Sequence, residues 1–183
     1  MKKQRMSGSL SHPHVKSNSR LTIRDLALMG VMTTLLIVSV HALAPIPNVE
    51  PVTLLVILYT LFWGKRIGYI LTAYLLLEGC FYGFGLWWIM YAYLWPLLAL
   101  LTYLMRRQKS VWFWSLLSGA FGLFFGALCS IPYLFIGGPS MAFTWWVAGI
   151  PYDLIHCLSN GILCMVLFLP LSHALSRLKA SAL

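Results

Sequence analysis

Charge is what this sequence has least of. Only 9% of its 183 residues are Asp, Glu, Lys or Arg, and four of those are acids, against roughly 25% charged residues in a soluble domain. With 60% hydrophobic residues and a mean hydropathy of +0.82, this excludes an ordinary soluble globule and puts the chain in the membrane class. The net charge of +9 does not point to nucleic acid, because the basic residues sit in short clusters between apolar runs. Catalytic motifs are missing too. Without a Gly-x-x-x-x-Gly-Lys-Ser/Thr loop the chain cannot hydrolyse nucleotides by the P-loop route. Neither His-Glu-x-x-His, Gly-x-Ser-x-Gly nor a paired-carboxylate motif occurs, so no enzymatic activity, cofactor or metal is expected. Cys80, Cys129, Cys157 and Cys164 form no Cys-x-x-Cys pair and lie in or beside apolar runs, as small buried hydrophobes do. No internal repeat is evident, which argues against a transporter built from paired halves. The first 20 residues hold no apolar core of a cleavable signal peptide.

What is present is a succession of six apolar segments, at about 26–43, 52–63, 67–81, 86–105, 111–136 and 142–171. Prolines at Ala44-Pro-Ile-Pro-Asn-Val-Glu-Pro51 and glycines at Tyr82-Gly-Phe-Gly85 and Gly137-Gly-Pro-Ser140 mark three connections. These three carry no basic residue. Lys65 and Arg66, then Arg106, Arg107 and Lys109, and finally Arg177 and Lys179 occupy the alternate ones, and Lys2, Lys3, Arg5, Lys16, Arg20 and Arg24 lead in. The positive-inside rule turns this alternation into an even number of spans with both ends inside. The expectation is an all-α, polytopic membrane protein in the cell membrane, with six transmembrane helices and both termini cytoplasmic. It comprises a disordered basic tail over 1–20, one six-helix membrane domain over 21–178 and a cytoplasmic end over 179–183. Thr22 or Asp25 should cap the first helix.

The few acids are distributed against the bases. Asp25 stays at the basic end, whereas Glu50, Glu78 and Asp153 fall toward the other, with His41 and His156. Orientation does not require this, since acids contribute little to it. Asp153, His156 and Asn160 are spaced i, i+3, i+7 and therefore share one helical face. An ionisable side chain at membrane depth costs roughly 2.5–3.5 kcal/mol on insertion scales, so it takes a partner or a task. Aromatic residues collect in the same region: Trp87, Trp88, Tyr91 and Trp95 after the second outer turn, and Trp146 and Tyr152 before Asp153. Trp88, Tyr91 and Trp95 share a face by spacing. Part of this is an interfacial belt, but rigid rings around a few polar groups also suit a flat small molecule, such as a flavin, a pterin, a modified base or a corrinoid edge. Gly149-Ile-Pro151 offers a kink or helix start just above Asp153. The polar residues have two other readings. Asp153 and His156 could act as the acid–base or metal pair of a small intramembrane enzyme. Alternatively, Asp153, His156 and Asn160 could simply lock helices together, as in an assembly protein.

Pro47-Asn-Val-Glu-Pro-Val-Thr53, Tyr59-Thr-Leu-Phe-Trp-Gly-Lys65 and Gly149-Ile-Pro-Tyr-Asp-Leu-Ile-His156, with the six-segment charge pattern, resemble the substrate-binding S components of energy-coupling factor (ECF) vitamin transporters. The resemblance covers about 21–178. It implies capture of a vitamin or related micronutrient in an outward-facing pocket. It also implies delivery inward together with a transmembrane coupling subunit and two cytoplasmic ATPases, which supply the energy this chain cannot. In that family an Ala-xxx-Ala pattern on the first helix docks to the coupling subunit. Here Ala27 is followed by Val31, and Gly30-x-x-x-Thr34 supplies a second small-xxx-small face.

Overall fold

The computed structural model describes residues 21–43, 45 and 49–180, with the side chains of 179 and 180 outside that description. The basic tail over 1–20, most of the first connection and the last three residues also lie outside the described residues. Everything regular among those described is helical.

Helix α1 (Ile23–Leu43) opens on a reciprocal cap. The Asp25 backbone N–H donates to the Thr22 hydroxyl at 3.1 Å, and the Thr22 N–H to the Asp25 carboxylate at 3.0 Å. α2 (Val52–Trp63) follows Pro51, and a 3-10 turn over Gly64–Arg66 leads into α3 (Ile67–Tyr82). Gly64 adopts φ 58°, ψ −131°, a left-handed conformation that glycine reaches without penalty and that turns the chain back. Gly83 (φ 81°) does the same before α4 (Leu86–Leu104). α5 (Val111–Leu123), the short α6 (Phe125–Cys129) and α7 (Ile131–Ala180) complete the order, and α7 is broken at Gly137 and Gly138 into 131–136 and 139–180. Thus the expected single segment over 111–136 is three pieces. Phe124 leaves helical geometry (φ −93°, ψ 3°) and Ser130 interrupts again before α7. The expected helix start at Gly149-Ile-Pro151 is also corrected: backbone angles stay helical through Pro151, and the helix begins a dozen residues earlier, after the Gly137–Gly138 break.

Contacts set the directions. Asp25 meets Arg66 at 3.5 Å where α1 and α3 begin, and His41 meets Tyr82 where they end, so these two run parallel. Tyr103 lies by Gly64, while the Trp88 indole donates to the Leu75 carbonyl at 2.8 Å, so α4 runs antiparallel to α3. α5 and α6 run antiparallel to 139–180, with Trp114 stacked on Phe168 at one end and Gly126 bonded to Asp153 at the other. The described residues Arg24, Lys65, Arg66, Arg106, Arg107, Lys109 and Arg177 thereby fall at one end of the bundle, and Glu50, Glu78, Asp153 and His41 toward the other.

Among the described residues four helical stretches are long and apolar enough to cross a membrane: Ile23–Leu43, Val52–Tyr82, Leu86–Leu104 and Ile131–Leu178. Val111–Leu123 is apolar but shorter. The chain is an all-α membrane protein. Its outer faces carry large apolar side chains such as Leu35, Tyr69, Leu116 and Ile162, while Leu36, Val56, Ile70, Leu94, Trp95 and Leu98 are fully buried. Lipid is as apolar as leucine, so this burial supplies little drive between helices. Close packing at small residues and interhelical hydrogen bonds must do more of it.

Candidate functional site

Those small residues converge on the Asp153 face. Ser115, Ser118, Gly119 and Gly122 on α5 and Gly126 on α6 form one stripe against Asp153, His156, Asn160 and Gly161. Gly119 faces Cys157 and Gly161, Gly122 faces His156 and Asn160, and Gly126 faces Asp153, the reversed order that antiparallel helices require. The approach is close enough that a Cβ on Gly122 would stand 2.7 Å from the His156 carbonyl oxygen. A Cβ on Gly119 would stand 3.2 Å from that of Cys157.

Closeness brings the backbone into play. The Gly126 N–H donates to Asp153 Oδ1 at 2.9 Å, and Ser118 donates to the Asn160 carbonyl at 3.2 Å. From the other side α2 contributes Thr53, whose hydroxyl accepts from Asn160 Nδ2 at 3.1 Å. The His156 ring sits 4.9 Å from that of Phe125. Asp153, His156 and Asn160 are 5%, 4% and 2% exposed, yet each keeps one polar atom without a partner: Asp153 Oδ2, His156 Nε2 and Asn160 Oδ1. Leaving such an atom unsatisfied costs about 1–3 kcal/mol. Three in one patch mark either a ligand site or a strained lock.

A second polar group lies at the same end. Glu78 on α3 is 4% exposed, with Oε1 unpartnered, and half-buried Glu50 is close enough for the two carboxyls to repel. His41 holds its ring by donating from Nδ1 to the Ile37 carbonyl at 2.7 Å, and its Nε2 pairs with the Tyr82 hydroxyl.

Burial raises the Glu50 carboxyl from its ordinary value, and the neighbouring Glu78 carboxylate pushes it the same way. The folded protein therefore holds this proton more tightly than the unfolded chain. That stabilisation is complete below the ordinary value and is lost as pH rises through the raised one. Glu50→Gln is expected to flatten this decline in a plot of thermal midpoint against pH. An unaltered slope would assign the titration to another group.

The rings form a ladder, but not the expected one. Trp87, Tyr91 and Trp95 stand edge to face with centroids 5.6 and 5.4 Å apart, a succession of i, i+4, i+8. It continues to Phe125 (6.0 Å from Trp95) and so to His156, and outward through Tyr82 to His41. Trp88, expected to share the face of Tyr91 and Trp95, instead turns to α3 and packs on Phe84. Trp146 pairs with Phe143, and Tyr152 is 59% exposed, so neither joins the polar groups. Ala27, Gly30, Val31 and Thr34 all lie on the exposed side of α1. Of the cysteines, Cys129 and Cys164 are buried and Cys157 half-buried, but Cys80 is exposed, contrary to expectation.

Sequence reasoning passed over Phe125, Thr53, Ser118, Gly122 and Gly126. The signal for the last two was present in the Gly119-x-x-Gly122-x-x-x-Gly126 spacing. Among the described residues no group of three or more His, Cys, Asp and Glu could hold a metal ion. Compared with known protein families, curated proteins and solved structures, the chain has no significant match in any of the three.

Proposed function

We propose that this chain crosses the membrane six times with both termini in the cytoplasm and is the substrate-capture subunit of an energy-coupling factor importer. One observation carries the reading. Buried, unpartnered polar atoms of Glu78, Asp153, His156 and Asn160 gather toward the end of the bundle opposite its basic residues, where a ladder of rings runs from His156 to His41. The collection of Lys and Arg at one end makes that end cytoplasmic, which turns the polar groups outward. Glu78 Oε1, Asp153 Oδ2 and Asn160 Oδ1 are oxygens, so the ligand presents N–H or O–H groups to them and a flat apolar body to the rings. The resemblance to S components supplies the class of ligand, a vitamin or related micronutrient. It also supplies the partners: a coupling subunit at the exposed Ala27–Thr34 face of α1, and two ATPases.

The test is native mass spectrometry of the full chain extracted from its own membranes in mild detergent. A small molecule retained at one per chain is the expected result, and a preparation carrying lipid alone overturns the reading. A second reading has its own observation. The bond from Gly126 to Asp153, set in a glycine stripe, is what a helix lock looks like. A lock predicts no retained molecule, and also that Asp153 substitutions change stability alone.

A further inference from the structure

Two open grooves run along α3 from the basic end, well away from the Asp153 face. One, of about 580 Å³, lies between α3 and α4, with Leu71, Leu75, Pro96 and Leu100 among its walls. The other, of about 590 Å³, lies on the far side of α3, over Tyr69, Ala73 and Leu76. They share Lys65, Gly68 and Thr72, so the small residues at 68 and 72 form a low ridge between two channels that begin at one lysine. A Cβ on Gly68 would meet nothing within 4 Å. At 1.5 Å per residue, the helix from Lys65 to Leu76 is about 16 Å long, close to the roughly 15 Å of hydrocarbon in one leaflet.

The mouth is cationic. The Tyr103 ring carries Lys65 Nζ at 5.9 Å from its centroid and the Arg106 guanidinium carbon at 4.0 Å. Asp25, the one acid at this end, is engaged by Arg66 at 3.5 Å. Among the described residues Lys65 and Arg106 therefore have no carboxylate to neutralise them, and Arg106 is steadied by donating to the Tyr103 carbonyl at 3.1 Å. Paired apolar channels that share Lys65, with Arg106 on the Tyr103 ring beside it, match one molecular shape: two hydrocarbon tails joined at an anionic head.

We propose that this surface is a specific site for an anionic diacyl phospholipid, with its phosphate between Lys65 and Arg106 and one acyl chain in each groove. The site rests on membrane embedding and is independent of what the outer polar groups bind. Juxtamembrane Lys and Arg draw anionic lipid to a leaflet. Here the grooves add tail recognition to that attraction.

The test is thermal unfolding of the purified full chain in detergent, with phosphatidylglycerol or phosphatidylcholine of identical acyl chains at equal mole fraction. Phosphatidylglycerol is expected to raise the midpoint by several degrees more than phosphatidylcholine. The K65Q/R106Q variant should lose that excess, and Lys65→Arg should keep most of it. Gly68→Leu, which fills the shared floor where there is room for a side chain, should reduce the response while the protein stays folded. Equal responses to the two lipids, an excess that survives K65Q/R106Q, or the same shift from inorganic phosphate alone would each overturn the site. So would a full response in Gly68→Leu.

Discussion

Asp153→Asn is expected to leave the protein folded and to strip it of the proposed ligand. The substitution keeps an oxygen where Oδ1 accepts from the Gly126 N–H and puts an amide N–H₂, which only donates, where the unpartnered Oδ2 stood. Size and shape hardly change. A neutral amide is also cheaper to bury than a carboxylate with no cation beside it, so the thermal midpoint of the empty protein should hold or rise. Binding should respond quite differently. Removing one partner of a buried, charge-assisted hydrogen bond costs roughly 2–5 kcal/mol, or thirty-fold or more in affinity. Measured as retained ligand by native mass spectrometry and as affinity by titration calorimetry, the variant should fall by at least that factor. Wild-type affinity in the Asn variant would place the ligand elsewhere in the bundle. Loss of folding with no ligand ever found would favour the helix lock.

The second large effect is expected at Gly122. An alanine there sets a methyl group 2.7 Å from the His156 carbonyl oxygen and 3.0 Å from the Asn160 amide nitrogen. The first neighbour is backbone in the middle of a long helix and cannot swing aside, so the two helices must part. That disturbs the Ser118, Asp153 and Asn160 hydrogen bonds together. Overpacking of this kind costs typically 1–3 kcal/mol. For a chain of this size each kcal/mol lowers the midpoint by about 2–4 °C. The stripe makes a graded series. Gly119→Ala meets the Cys157 carbonyl at 3.2 Å and should cost less, while at Gly161 the nearest carbonyl is 3.8 Å away. There alanine's better helix propensity, worth up to about 1 kcal/mol, should show as neutrality or a gain. Midpoints that fail to follow the order 122, 119, 161 would mean the helices are not in this contact.

The contrast between the two substitutions separates ligand chemistry from architecture. Gly126 belongs to both, because its missing side chain makes room for the Asp153 carboxylate and its N–H holds it. This coupling explains why an acid can sit so deep. One oxygen is satisfied by the backbone of the neighbouring helix, and only the other is without a partner.

Much of this protein is written in its residue order. Scarce charge and long apolar runs determine a helical membrane chain, because backbone groups in lipid must bond within their own segment. Gly64, Gly83 and the Gly137–Gly138 pair mark the turns through the left-handed conformations that three of the four adopt. The alternation of basic clusters sorts the turns between two ends. Helical periodicity puts Asp153, His156 and Asn160 on one face. What that face looks at was beyond it. Periodicity says which side chains point together but not how a helix is rotated about its axis against its neighbours. In lipid an apolar side chain is equally at home inside or out, so hydrophobicity does not reveal the rotation either. Tertiary structure made that choice, turning the Asp153 face into the glycine stripe of α5 and α6. It selected Trp87 over Trp88 for the ring ladder and left Tyr152 and Trp146 away from the polar groups. It also broke the 111–136 run at Phe124, between Gly122 and Gly126, and at Ser130, two residues before Pro132. Packing distance decided these outcomes, and it depends on both helices at once.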